Sequence, residues 1–245
     1  MHDYLLYTLI AFILSVLFSM GGTGSGIALI PVLNFFGIEF IVAKATGLFA
    51  GASTTMTSSI MNIKRKVLDF SFVWPIALMM LIFAPIGAYS SQYINETIIK
   101  FLFMLLLFYS ASMMMFGKKK SLIQTKGKTI LFAVGAFVGF LAGLLGVGGG
   151  NILMPLLILL GFEPKKVAVT VSSVVPFSAL SSFFTYASYV NLDWILLLCV
   201  MLASIAGGYI GNYLMHFKLD QMKTKKLMGI ILYILAFKML YKLMA

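Results

Sequence analysis

The chain holds one cysteine, two histidines and only 7 acidic residues among 245. A lone Cys199 cannot form an internal disulfide, and no Cys/His cluster offers a ligand set, so no metal or cofactor is expected. Its place in an apolar run reads as a packed core thiol. His2 and His216 both stand at the ends of apolar runs, which removes the Ser–His pair that an intramembrane hydrolase would need. No enzyme activity is expected. Charge of either sign is scarce: 10% of residues are charged and 61% are hydrophobic, with a mean hydropathy of +1.05. A soluble fold of this size could not bury so much apolar surface and still keep a polar exterior.

What the chain does have is length without charge. Residues 4–38, 45–63, 70–95, 101–117, 129–162, 167–192 and 194–217 contain no Lys, Arg, Asp or Glu. About 20 apolar residues in a helix cross a hydrocarbon core of roughly 30 Å, so the class is all-α integral membrane. The first segment lacks the basic start and small-residue cleavage site of a signal peptide. The net charge of +11 sits in short loops, where Lys and Arg set topology and meet anionic membrane lipid. That placement argues against nucleic-acid binding.

The two halves of the chain repeat each other. With Gly22 set on Gly146, Gly24 and Gly26 fall on Gly148 and Gly150, Leu29 on Leu153, Pro31 on Pro155 and Gly37 on Gly161. Further along, Glu39 meets Glu163, Thr46 meets Thr170, Ser58 meets Ser182, and Leu68-Asp69 meets Leu192-Asp193. Leu78, Gly87 and Tyr89 then meet Leu202, Gly211 and Tyr213 without a gap. Apolar bias does not align alternating glycines, a proline and an acid–aromatic corner in one register. The division is a first membrane repeat at 1–117, a Lys-rich cytoplasmic linker at 118–128 and a second membrane repeat at 129–245.

Basic residues are concentrated in four clusters: 64–66, 118–128, 165–166 and 218–226. Cytoplasmic loops carry such excess. Placing all four inside makes 45–63, 98–117 and 193–216 run inward, and 70–93, 167–190 and 227–244 outward. The basic loop 64–66 then corresponds to the uncharged 188–190, and 165–166 and 218–226 correspond to 41–42 and 94–102, which hold one lysine, Lys100. Equivalent loops with opposite charge bias predict two inverted-topology repeats. Each would contain a glycine-broken helical hairpin plus three transmembrane helices, giving about eight to ten helical segments, an arrangement recurrent in secondary transporters. Lys44, Lys100, Lys238 and Lys242 depart from the clusters and read as helix-end lysines that snorkel.

Residues 4–38 and 129–162 are too long for one span, since a 35-residue helix would extend about 52 Å. Each is interrupted at matching places by glycines and then a proline, predicting a helix, a break and a short helix. Irregular backbone at membrane depth survives only where protein or a watery cavity satisfies it. The N–H groups freed at the start of the short helix form a partly positive end that suits an anion. Candidate substrate-binding residues are therefore Gly22, Thr23, Gly24, Ser25 and Gly26 in one half, and Gly146, Gly148, Gly149, Gly150 and Asn151 in the other. Thr46, Ser53, Thr170, Ser173 and Pro176, on the spans that follow, read as lining residues, Pro176 by freeing a carbonyl. Asn62, Gln92 and Asn212 read as interfacial.

The paired pattern Gly-x-Gly-x-Gly-(x)4-Pro, with another glycine about six residues on and a hydroxyl-rich span after it, resembles the sulfite exporter TauE/SafE family of membrane transporters. Residues 146–155 are the closer match, while Thr23 and Ser25 depart from an all-glycine pattern. The resemblance implies transport of a small sulfur oxyanion or organosulfonate across the bacterial inner membrane by alternating access. A coupling ion such as H+ and an oligomeric assembly are compatible with it. The competing expectations are a carrier of a neutral or cationic solute and a non-transporting membrane scaffold.

Overall fold

The computed structural model describes residues 2–116, 128–217 and 221–244, and among them the regular structure is helical. The first half contains α1 (His2–Met20), α2 (Gly26–Phe35), α3 (Phe40–Lys64), α4 (Phe70–Ser90), a 3-10 turn (Ser91–Tyr93) and α5 (Glu96–Phe116). The second contains α6 (Lys128–Leu145), α7 (Gly150–Leu159), α8 (Pro164–Ala187), α9 (Trp194–Phe217) and α10 (Gln221–Met244). Of the Lys-rich linker 118–128, only Lys128 belongs to the described residues. Five helices (α4, α5, α8, α9 and α10) are long and apolar enough to cross a membrane, which makes this a multi-pass membrane protein. The 25-residue α3 has the length, but its Ser, Thr and Lys content keeps it out of that set.

Acids mark the helix starts. Glu39 and Glu163 stand at the N-caps of α3 and α8, where a carboxylate meets the positive end of the helix. Asp193 caps α9, its Oδ1 accepting from the N–H of Ile195 at 3.0 Å and of Leu196 at 3.1 Å. Its Oδ2 accepts from the Tyr4 hydroxyl at 2.7 Å, tying α1 to the foot of α9 and holding the Asp193 carboxyl below its ordinary pKa. Asp69, before α4, bonds the Lys166 ammonium at 2.7 Å, and that bond likewise lowers its pKa. Its contribution is complete above the ordinary carboxylate pKa and is lost as pH falls through the lowered value. Both partners are half exposed, so the pair is worth about 0–1 kcal/mol at most.

Packing follows a regular plan. α1 lies on α9 and α4 on α6; α3 lies on α8 and α9, and α8 on α3 and α4; α5 lies on α10; α2 and α7 lie on α3 and α8. Replacing every helix by its counterpart in the other half turns this list into itself. Glycine contacts obey the same exchange: Gly87 seats on the Phe140 carbonyl, and Gly211 on the Val16 carbonyl. Such small residues let backbones approach closely where lipid offers no hydrophobic drive for helix association. Within the α3–α8 pair, Lys44 near the start of α3 reaches Tyr186 near the end of α8, whereas Asn62 near the end of α3 reaches Ser172 in the first half of α8. The two helices are antiparallel.

A Cβ at Gly143 would overlap the Ala84 carbonyl oxygen, a backbone atom that cannot step aside. Gly143→Val should therefore prevent assembly of a monodisperse protein. Asp193→Ala, which removes a cap, should cost only about 1 kcal/mol. Size-exclusion profiles and thermal unfolding in detergent will separate the two outcomes.

Candidate functional site

Both over-long runs are broken where the glycines stand. The first break, residues 21–25, carries Gly22 and Gly24 at φ of 75° and 77°; the second, 146–149, carries Gly146 and Gly148 at 77° and 71°. Side chains rarely adopt such φ values, so glycine is required at these turns. The halves diverge at the next position. Gly149 stays left-handed at φ 85°, but Ser25 is right-handed at −79° and turns a hydroxyl into the protein.

The two breaks meet. A Cβ at Gly150, the first residue of α7, would come within 2.8 Å of the Thr23 carbonyl oxygen. A Cβ at Gly26, the first residue of α2, would similarly meet the Gly47 carbonyl of α3. Each of α3 and α8 crosses both breaks: Gly22 lies on Ala168 and Gly146 on Lys44, while Gly24 lies on Gly51 and Thr55, and Gly148 on Val175 and Ala179. Residues of both motifs are buried throughout.

Hydrogen bonding differs between the two breaks. Ser25 Oγ is 2.9 Å from Ser15 Oγ and 3.2 Å from Thr54 Oγ1, and Ser15 Oγ is 3.2 Å from Ser204 Oγ. One turn along, Ser19 Oγ contacts Ser58 Oγ and the Gly208 carbonyl, both at 2.9 Å. Around the second break Ser178 Oγ donates to the Gly148 carbonyl at 2.7 Å. By contrast, Thr23 Oγ1, Ser182 Oγ and both amide atoms of Asn151 are buried without a hydrogen-bond partner. Such groups cost about 1–3 kcal/mol each when unsatisfied, and native proteins keep few of them. Thr23 and Asn151 flank the Thr23–Gly150 contact, at the start of α7. There the first helical bonds, from Ile152 and Leu153 to the Gly149 carbonyl, leave the Gly150 and Asn151 N–H groups ahead of the ladder.

The lining residues have a more modest place. Ser53 donates to the Phe49 carbonyl, Thr170 to that of Lys166 and Ser173 to that of Val169, each bond running back along its own helix. Thr46 is buried on α3. Pro176 lies inside α8 and leaves the Ser172 carbonyl without its helical donor.

Several sequence expectations need correction. Lys44 does not snorkel. It is 2% exposed, donating from Nζ to the Tyr186 hydroxyl at 2.9 Å with the Tyr186 ring at 4.6 Å. Burying an ammonium costs on the order of several kcal/mol, which the Tyr186 hydroxyl and ring offset in part. Asn62 and Asn212 are buried rather than interfacial. Asn62 donates to Ser172 Oγ and Asn212 accepts from Arg65; both are tertiary partners that no local pattern announces. Cys199 is only half buried on α9, outside the core. Ser15 and Ser204 were not anticipated, being isolated hydroxyls in apolar runs that only the fold brings together.

Similarity to known proteins agrees with this architecture. The profile described as "Sulfite exporter TauE/SafE" matches residues 7–239. The chain belongs to the sulfite exporter TauE/SafE family. Among relatives, "Probable membrane transporter protein YunE" of Bacillus subtilis (strain 168) is 25% identical over 98% of both chains. "Probable membrane transporter protein MJ0441" of Methanocaldococcus jannaschii is 25% identical over 74% of this chain and 71% of its own. A "Probable membrane transporter protein" of Haemophilus influenzae is 25% identical over 88% and 87%. No solved structure matches. The TauE/SafE profile thus runs through both halves of the chain.

If the unbonded groups serve a ligand, removing them should help stability and harm function. Thr23→Val should leave thermal stability unchanged or raise it by up to about 1–2 kcal/mol. Solute uptake into proteoliposomes should fall at the same time. A stability loss with normal uptake would make Thr23 a structural residue.

Proposed function

We propose that this protein is a secondary transporter that moves a small anion, a sulfur oxyanion or organosulfonate of the sulfite type, by alternating access. The observation that carries the proposal is the meeting of the two breaks. The start of α7 and three unspent side-chain donor and acceptor groups, on Thr23 and Asn151, converge on a buried point, and no carboxylate lies among them. Among the described residues the acids stand at helix ends: Asp3, Glu39, Asp69, Glu96, Glu163 and Asp193. An oxyanion asks for several N–H and O–H donors and no competing negative charge, and helix starts answer that need without a charged side chain. Family membership and the names of the relatives support the transport part.

The two halves are inverted repeats in this reading. The packing list that maps onto itself and the antiparallel α3–α8 pair both fit a two-fold axis perpendicular to the helices, hence parallel to the membrane. The lysine clusters give the same orientation from loop charge. Alternating access then follows as an exchange of the two halves' roles around a fixed centre. The protein would sit in the bacterial inner membrane with its basic loops cytoplasmic, coupled to an ion such as H+.

Two measurements test this. Counterflow in proteoliposomes with labelled sulfite, sulfoacetate, thiosulfate and sulfate, with chloride as control, should show saturable exchange of at least one sulfur anion. Exchange should vanish in Gly148→Leu and Gly24→Leu variants that still elute as folded protein. Indifference to every anion sinks the anion reading. For orientation, single cysteines at Lys66 and Ser188 in a Cys199→Ser background should label from opposite faces of the membrane. Labelling from one face would rule out inversion.

A further inference from the structure

Lys44 brings a buried amine to the edge of the second break. The stem of its side chain lies against Gly146, with Cβ, Cγ and Cδ each within 2.8 Å of where a Cβ there would stand. Its ammonium has three donors, one of which goes to the Tyr186 hydroxyl. That hydroxyl donates in turn to the Gly143 carbonyl at 2.9 Å and lies 3.2 Å from that of Leu144. Among the described residues no carboxylate lies within ion-pair distance of Lys44; Glu96, paired with Lys100 across the Phe40 ring, acts on it only at longer range. Ser182 stands one turn before Tyr186 on α8, fully buried, its Oγ unpartnered. Outward of this group, the Phe40 ring is approached by Lys44 Nζ at 5.7 Å and by Lys100 Nζ at 5.5 Å, and Lys100 is partly exposed. The equivalent place in the other half is Ala168 against Gly22, so the charge has no counterpart there.

A buried amine with unused donors next to the break, with an unpartnered hydroxyl one helical turn from its Tyr186 partner, is an incomplete ion-binding arrangement. An anion completes it: the charge is met, and both Lys44 and Ser182 donate. We propose that Lys44 and Ser182 form an anion station beside Gly146, through which the substrate anion passes between Lys100 at the surface and the Thr23–Asn151 centre. The inference rests on the anion reading above. On the lysine-derived topology, with α3 running inward, the station faces the non-cytoplasmic side. A purely structural role is the competing account, in which Lys44 and Tyr186 only cap the negative end of α6. In that case Lys44 would affect stability but not the dependence on anion concentration.

The test uses the full chain in proteoliposomes, with labelled sulfoacetate and sulfite as probes, and thermal unfolding in detergent with and without each anion. Lys44→Met should raise the KM for exchange about tenfold to a hundredfold, as expected for loss of a charge-assisted bond. It should also abolish the thermal shift produced by the anion. Lys44→Arg, which keeps the charge, should stay within about threefold of the parent. A folded Lys44→Met protein with unchanged KM and unchanged anion-dependent shift overturns the station while leaving anion transport intact. Absence of exchange in the parent protein for every anion defeats the anion reading itself. Should Lys44→Met fail to fold, Ser182→Ala removes a single oxygen and reads the same station: a KM raised severalfold supports it, and an unchanged KM overturns it.

Discussion

A backbone interrupted inside a hydrocarbon layer has no water to satisfy it, so the protein must supply every partner. Here two interruptions lie against each other, with the Thr23 carbonyl on Gly150. That contact organises the surrounding structure. Only glycine could let the two backbones come so close, and only long helices on either side could seal them. α3 and α8 do this by crossing both breaks in opposite directions, and the other helices pack around that pair.

The duplicated scaffold carries unequal chemistry. In the first half Ser25 closes a hydroxyl network with Ser15, Thr54 and Ser204, so the first break is largely self-satisfied. In the second half Gly149 replaces Ser25, and Asn151 and Ser182 are left unbonded with the Lys44 ammonium nearby. In the first break only Thr23 Oγ1 stays unbonded, while the second half keeps Asn151 and Ser182 open. A framework that repeats thus carries polar groups that do not.

Charge is similarly divided. Acids stay at helix starts and loop corners, where Asp69 and Asp193 tie one half to the other through Lys166 and Tyr4. The interior holds a lysine and hydroxyls. Most of the 18 Lys and Arg stand at helix ends or between helices, away from that interior.

Much of the fold was legible without coordinates. Membrane spans follow from hydrocarbon thickness, and the breaks follow from matched glycines in runs too long for one helix, because positive φ and close approach leave few other residues possible. The Leu-Asp corners at 68–69 and 192–193 showed as a repeat, but their partners Lys166 and Tyr4 did not. What could not be read were the partners of residues far apart in the chain. Lys44 looks like a helix-end lysine until Tyr186 arrives from 142 positions away. Asn62 and Asn212 look interfacial until Ser172 and Arg65 meet them. Ser15 and Ser204 look like stray hydroxyls in apolar helices. Local sequence determined where the chain must turn and where it must cross, because those are demands of backbone and bilayer. Which polar groups are paired and which stay open was decided only by tertiary packing, since a hydrogen bond depends on distance in space and carries no signature in the spacing along the chain.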